Sequence, residues 1–192
     1  MDGLQSEHFK FANNIIVQLL TNLFNCMLAH GYLPQALMDT CITPIIKDKK
    51  GSLTSKDNYR PIAITSVASK ILELVLLERM NSQLCTIDNQ FGFKKKSGTD
   101  MCVFTSQQII EYYTNRSSPV YICFLDASKA FDRINHWNLF EKLIKRDVNK
   151  QIIRLIVQWY CTQTFCVRWG GHISDCFNVA NGVRQGGILS PY

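Results

Sequence analysis

Residues 119–126, "PVYICFLD", constrain the fold more than any other stretch. Val120, Ile122 and Phe124 fall on one parity, and Tyr121, Cys123 and Leu125 on the other. A strand apolar on both faces belongs in the middle of a sheet that is covered on two sides. Asp126 follows on the Val120 parity, where the strand gives out. A carboxylate at the end of a buried strand is costly unless positive charge meets it. Either a basic side chain or a metal ion is therefore expected beside Asp126.

The remaining patterns predict an α/β chain of the α+β kind, without repeats or low-complexity linkers. Leu4, Phe9, Ile16, Leu19, Leu20, Leu23, Phe24, Met27 and Leu28 approximate one helical face, ended by Gly31 and Pro34. "CITPIIK" predicts a short strand, "KDKKGSLTSKDN" a polar loop and "YRPIAIT" a return strand, together a basic hairpin-like flap. Ser66 is placed to cap a helix carrying Ile71, Leu74, Val75, Glu78 and Met80, and another helix is expected from residues 97–100 to about Arg116. Helices near 136–146 and 149–160 precede "TFCVRWGGHISDCFNVA", which reads as two strands about Gly170-Gly171. Near the end, Gly182, Gly186 and Gly187 allow sharp turns or close approach to a ligand. Ser190-Pro191 reads as an N-cap followed by proline at the first helical position, so truncation at the start of a helix is expected.

Length and composition exclude a few classes. At 192 residues the chain suits one domain or slightly more, and 46% hydrophobic residues is ample for a core. No stretch approaches the roughly 18 to 20 unbroken apolar residues of a membrane span. Asp2, Glu7 and Lys10 interrupt any signal-peptide pattern. The eight cysteines form no Cys-x-x-Cys pair, and most lie in apolar runs. They are expected as reduced core thiols rather than zinc ligands, a disulfide framework or a link to a partner. An intracellular protein follows, and the Asn115-Arg116-Ser117 sequon is then accidental.

The net charge of +6 is unevenly placed. Residues 1–46 balance at −2, whereas 47–100 and 101–192 each carry +4. The middle excess clusters in loops, at Lys47, Lys49, Lys50, Lys56 and Arg60 and again at Lys94, Lys95 and Lys96. Loop lysines are commonly just solvated surface; the clustering also suits a partner with many phosphates.

Four segments, "NYRPIAITSVASKILE", "QFGFKKKSGTD", "FLDASKAFD" and "GVRQGGILSPY", resemble in order and spacing the motifs of reverse transcriptases of non-LTR (LINE-type) retrotransposons. The resemblance covers essentially the whole chain and implies a right-hand polymerase: fingers at about 1–118 and an incomplete palm at about 119–192. It implies RNA template, DNA primer and deoxynucleoside triphosphates as partners, two Mg²⁺ ions as cofactors, no membrane, and a place in cytoplasm and nucleus.

The same resemblance implies residue roles. Asp126 matches the first catalytic aspartate, which binds both metal ions. Lys129 and Ala130 lie in the turn facing the triphosphate, and Phe131 matches the aromatic gate beneath the sugar; the plainer reading of Phe131 is core packing. Asp132 is expected to be structural, carried away by the turn. Lys47 and Arg60 match basic residues holding the triphosphate, and Gln185 and Gly186 the pair lining the nucleotide pocket. Arg184 is expected to touch template or triphosphate, and Lys94, Lys95 and Lys96 to meet nucleic-acid phosphates. The family's aromatic-Ala-Asp-Asp motif is absent from this sequence. Three readings follow: a piece of an active polymerase, a polymerase-derived RNA-binding module without chemistry, or a relic reading frame.

Overall fold

Polar caps fix where four of the helices begin in the computed structural model, which describes residues 3–192. Asp2, counted in the charge balance, lies outside them. Asn13 caps α2 (Asn14–His30), Ser66 caps α4 (Val67–Arg79), Asn135 caps α6 (His136–Lys145) and Asn149 caps α7 (Lys150–Thr162). Each side chain accepts a bond from an otherwise orphaned backbone N–H, worth about 1 kcal/mol per cap. Two short helices, α1 (Ser6–Lys10) and α3 (Gln35–Met38), and the longer α5 (Thr99–Thr114) complete the helical set. The strands are β1 (Thr40–Ile46), β2 (Tyr59–Ile64), β3 (Thr164–Trp169), β4 (His172–Ile173) and β5 (Phe177–Asn178).

The core is helical. Phe24, Met27 and Leu28 of α2 pack with Leu72 and Leu76 of α4, Phe140 and Leu143 of α6, and Ile152, Leu155, Ile156 and Trp159 of α7. Leu33, Leu72, Leu76 and Leu155 have no accessible surface. Burying each such side chain contributes about 1.5–3 kcal/mol. The sheet runs β2-β1-β3-β4, with β5 also on β3. β1 pairs antiparallel with β2, from Cys41↔Ile64 to Ile46↔Tyr59, and parallel with β3 through Thr40↔Phe165 and Ile42↔Val167. The flap hairpin, the helix capped by Ser66, α5–α7 and the hairpin at Gly170-Gly171 therefore stand where the residue patterns place them.

Several expectations are corrected. Residues 119–126 form no strand, and Tyr121, Phe124 and Leu125 are 90% or more exposed. Parity says what a strand here would bury; it does not supply a neighbour, and no described strand pairs with this segment. The predicted first helix is broken into α1 and α2, with Leu19 and Leu23 exposed. α4 buries Ser69, Leu72, Glu73 and Leu76 rather than the Leu74 and Glu78 side. The cysteines are all free thiols, but only Cys41 is buried, so they are not core thiols as a group.

Candidate functional site

The polar loop between β1 and β2 is built around Asn58. Its amide oxygen accepts from Asp48 N at 3.0 Å, and its Nδ2 donates to the Asp48 carbonyl at 2.9 Å and the Ser52 carbonyl at 3.2 Å. Tyr59 OH donates to the Leu53 carbonyl at 2.8 Å, and its ring meets Trp169 edge-on at 4.9 Å. Lys47 Nζ donates to the Asp57 carbonyl at 2.8 Å. The flap is thus a shaped loop that carries its cations in defined places.

Opposite it lies the turn after Asp126. Lys129 adopts a left-handed backbone at φ +54, and Asp132 N and Arg133 N both donate to its carbonyl. A non-glycine residue held there costs of order 1–3 kcal/mol and persists only where its surroundings fix it. Lys129 Nζ reaches Asp57 Oδ1 at 3.0 Å, joining turn to flap. That hydrogen bond and charge hold the Asp57 carboxyl below its ordinary value of 3.8.

The third wall is the loop at 181–189, fastened on several sides. Gly182 N donates to the Ile134 carbonyl at 2.7 Å, Val183 N to the Phe131 carbonyl at 2.8 Å, and Ala63 N to the Gln185 carbonyl at 2.8 Å. The buried His136 donates through Nε2 to the Gly182 carbonyl at 2.7 Å. Gly182 has φ +88, and a Cβ there would lie 3.0 Å from the Asp132 carbonyl oxygen. Only glycine lets these two backbones approach so closely.

Together these parts border an open cavity of about 1020 Å³. Lys47, Arg60, Asp126, Lys129, Ala130, Phe131 and Gln185, from four separate stretches of chain, all line it. Gly186 stands behind the wall, packed under the Ala63 carbonyl. Lys94, Lys95 and Lys96 lie on a different loop, where Lys94 is 3.8 Å from Asp88 and Lys95 and Lys96 are exposed. The expected contact of Arg184 with template or triphosphate is overturned: its guanidinium is buried, 2.6 Å from Glu73 Oε1 and 4.5 Å from the centre of the Trp159 ring. Asp132 lines the cavity beside Asp126 instead of being carried away. Motif reading missed Tyr59, Trp169 and Asp57. Only the alternation of "YRPIAIT" and "TFCVRW" could have pointed the two rings to one side.

Charge in the cavity is mixed. Lys47, Lys56, Arg60 and Lys129 face Asp57, Asp126 and Asp132. Arg60 is exposed and unpaired among the described residues, so its planar fork is open to a phosphate. Asp126 is exposed rather than set at a buried strand end, so water meets its charge and the expected desolvation cost does not arise. Among the described residues no three His, Cys, Asp or Glu side chains gather to hold a metal ion. The carboxylates among the described residues do not by themselves form a two-metal site.

Residues 46–192 match the family described as reverse transcriptase (RNA-dependent DNA polymerase). The chain is 30% identical over 195 residues to the RNA-directed DNA polymerase from mobile element jockey of Drosophila melanogaster, covering 99% of this chain and 21% of that protein. It is 31% identical to the probable RNA-directed DNA polymerase from transposon X-element of the same fly, covering 90% of this chain and 19% of that protein. The Pol polyprotein from retrotransposable element R2DM, also from this fly, is 27% identical over 95% of this chain and 17% of its own length. The chain thus spans about a fifth of these relatives.

Proposed function

The chain belongs to the reverse transcriptase family, and from that premise we propose that its cavity seats the incoming deoxynucleoside triphosphate of RNA-directed DNA synthesis. The observation that carries this is the convergence of Lys47, Arg60, Asp126, Lys129, Ala130, Phe131 and Gln185 on one cavity. Residues so far apart in sequence have no packing reason to share a wet, charged wall. A ligand with both an anionic and an aromatic part gives them one.

In this reading Arg60 grips the phosphates as a fork, while Lys47 and Lys129 act as point charges. Phe131, half-buried, lies beneath the sugar, and Gln185 forms the far wall with Gly186 packed behind it. Tyr59 and Trp169 offer ring surface on the flap side. Lys94, Lys95 and Lys96 meet backbone phosphates of the RNA template or DNA primer. Residues 1–118 correspond mainly to fingers and 119–192 to palm. Reverse transcriptases generally use divalent metal ions; for Mg²⁺, Asp126 would be one ligand of a set these residues do not complete.

Equilibrium binding of dGTP to this chain tests the reading. Hydrogen bonds to charged groups are worth about 1.5–3 kcal/mol, so Arg60→Ala should weaken binding by roughly tenfold to a hundredfold. Equal affinity of the variant and the parent would remove Arg60, and with it this pose, from the site.

A further inference from the structure

We propose that the buried Glu73–Arg184 ion pair is the positioning device of this site: it clamps the 182–189 loop to α4 and so sets Gln185 against the cavity. The inference rests on the nucleotide reading above for what Gln185 does, and on geometry alone for the clamp.

Glu73 stands mid-helix with no accessible surface. Its two carboxylate oxygens divide the work. Oε1 accepts from Arg184 Nη2 at 2.6 Å, while Oε2 accepts from Ile188 N, and from Leu189 N at 3.0 Å. One side chain thereby holds both ends of the turn that contains Gln185, Gly186 and Gly187. Arg184 points inward, 5% exposed, over the Trp159 ring of α7. Its neighbour Gln185 lines the cavity, and the Gln185 carbonyl is held by Ala63 N of β2. Burial pushes the Tyr160 hydroxyl up, with Arg184 opposing and Glu73 adding to the shift, which places both charges near α7.

Stability alone does not explain the pair. A buried ion pair repays its desolvation poorly, and well-packed apolar residues of similar volume commonly do as well. Apolar residues could not accept from the Ile188 and Leu189 amides, which would be left as unmatched donors. Arg184 Nη1 has no hydrogen-bond partner among the described residues, so the guanidinium is not in its best-satisfied surroundings. Glu73 and Arg184 also cancel in charge. Their effect on a triphosphate is therefore exerted through the position of Gln185, with little change in the field of the cavity.

The test compares the 192-residue chain with Glu73→Gln, Arg184→Lys and Gln185→Ala, by amide hydrogen exchange and by dGTP binding at several salt concentrations. In Glu73→Gln, exchange at Ile188 and Leu189 should rise at least tenfold while Leu155 and Trp159 of α7 stay protected. Its dGTP affinity should fall as far as that of Gln185→Ala, without the change in salt slope that Arg60→Ala produces. Arg184→Lys, which leaves Glu73 facing a cation, should keep both amides protected. Unchanged exchange at Ile188 and Leu189 in Glu73→Gln would overturn the clamp. So would joint loss of α7 protection, because the pair would then support the whole fold. Parental dGTP affinity in Glu73→Gln, with Gln185→Ala weakened, would overturn the positioning of Gln185. Absence of dGTP binding by the parent would sink the nucleotide reading, and the exchange arm would still decide the clamp.

Discussion

Gly186 shows how little freedom single residues have around the cavity. Its φ is +113, and a Cβ there would stand 3.1 Å from the Ala63 carbonyl oxygen. Gly186→Ala combines a disfavoured backbone with a contact against rigid sheet, so it should destabilise the chain by about 1–3 kcal/mol. Urea unfolding reads this directly; a loss under 0.5 kcal/mol would mean that the loop relaxes freely. The glycine was legible, because a Gly-Gly pair after Gln185 signals close approach. Arg184 was not read correctly. As a basic residue inside a motif it looked like a nucleic-acid contact, and what decides its role is an acid 111 residues away. A clue lay in α4: Ser69, Leu72, Glu73 and Leu76 follow the 3–4 spacing of one face. A glutamate on an apolar stripe needs a partner.

At the scale of elements, flap and turn are joined through the exposed Lys129–Asp57 bridge. The Asp57 carboxyl is depressed in the folded chain, first by its hydrogen bond to Lys129 and then by that residue's charge. A depressed carboxylate stabilises above its unfolded pKa, near 3.8, and loses that contribution as pH falls through the lower folded value. Asp57→Asn should therefore lower the urea midpoint slightly at pH 7, and the difference should shrink as pH falls below 3.8. A difference that grows on acidification would contradict the contact. The β1–β2 hairpin was readable because its pairing is local, with polar loop residues between two β-rich runs. Residues 119–126 failed because a strand needs a neighbour that parity does not reveal. Phe124 is 90% exposed here, so Phe124→Ala should change unfolding free energy by less than about 0.5 kcal/mol. A loss of about 3–5 kcal/mol, normal for a buried phenylalanine, would restore the buried strand.

Over the whole molecule, a helical core of α2, α4, α6 and α7 backs a small mixed sheet, and the cavity opens where flap, turn and loop meet. The helices were largely legible from caps and spacing, and part of the cavity lining from three of the four motifs. The sheet order β2-β1-β3 was not, because β1 and β3 are more than 110 residues apart and pair in parallel. The central claim is that a deoxynucleoside triphosphate occupies this cavity. Photocrosslinking of a dATP analogue bearing an aryl azide on its base, followed by peptide mapping, locates the ligand directly. The label should fall on peptides containing Tyr59, Phe131 or Trp169, and excess unmodified dATP should suppress it. Label on the 94–96 loop or on the exposed 119–125 segment, or label that dATP does not displace, would contradict the claim.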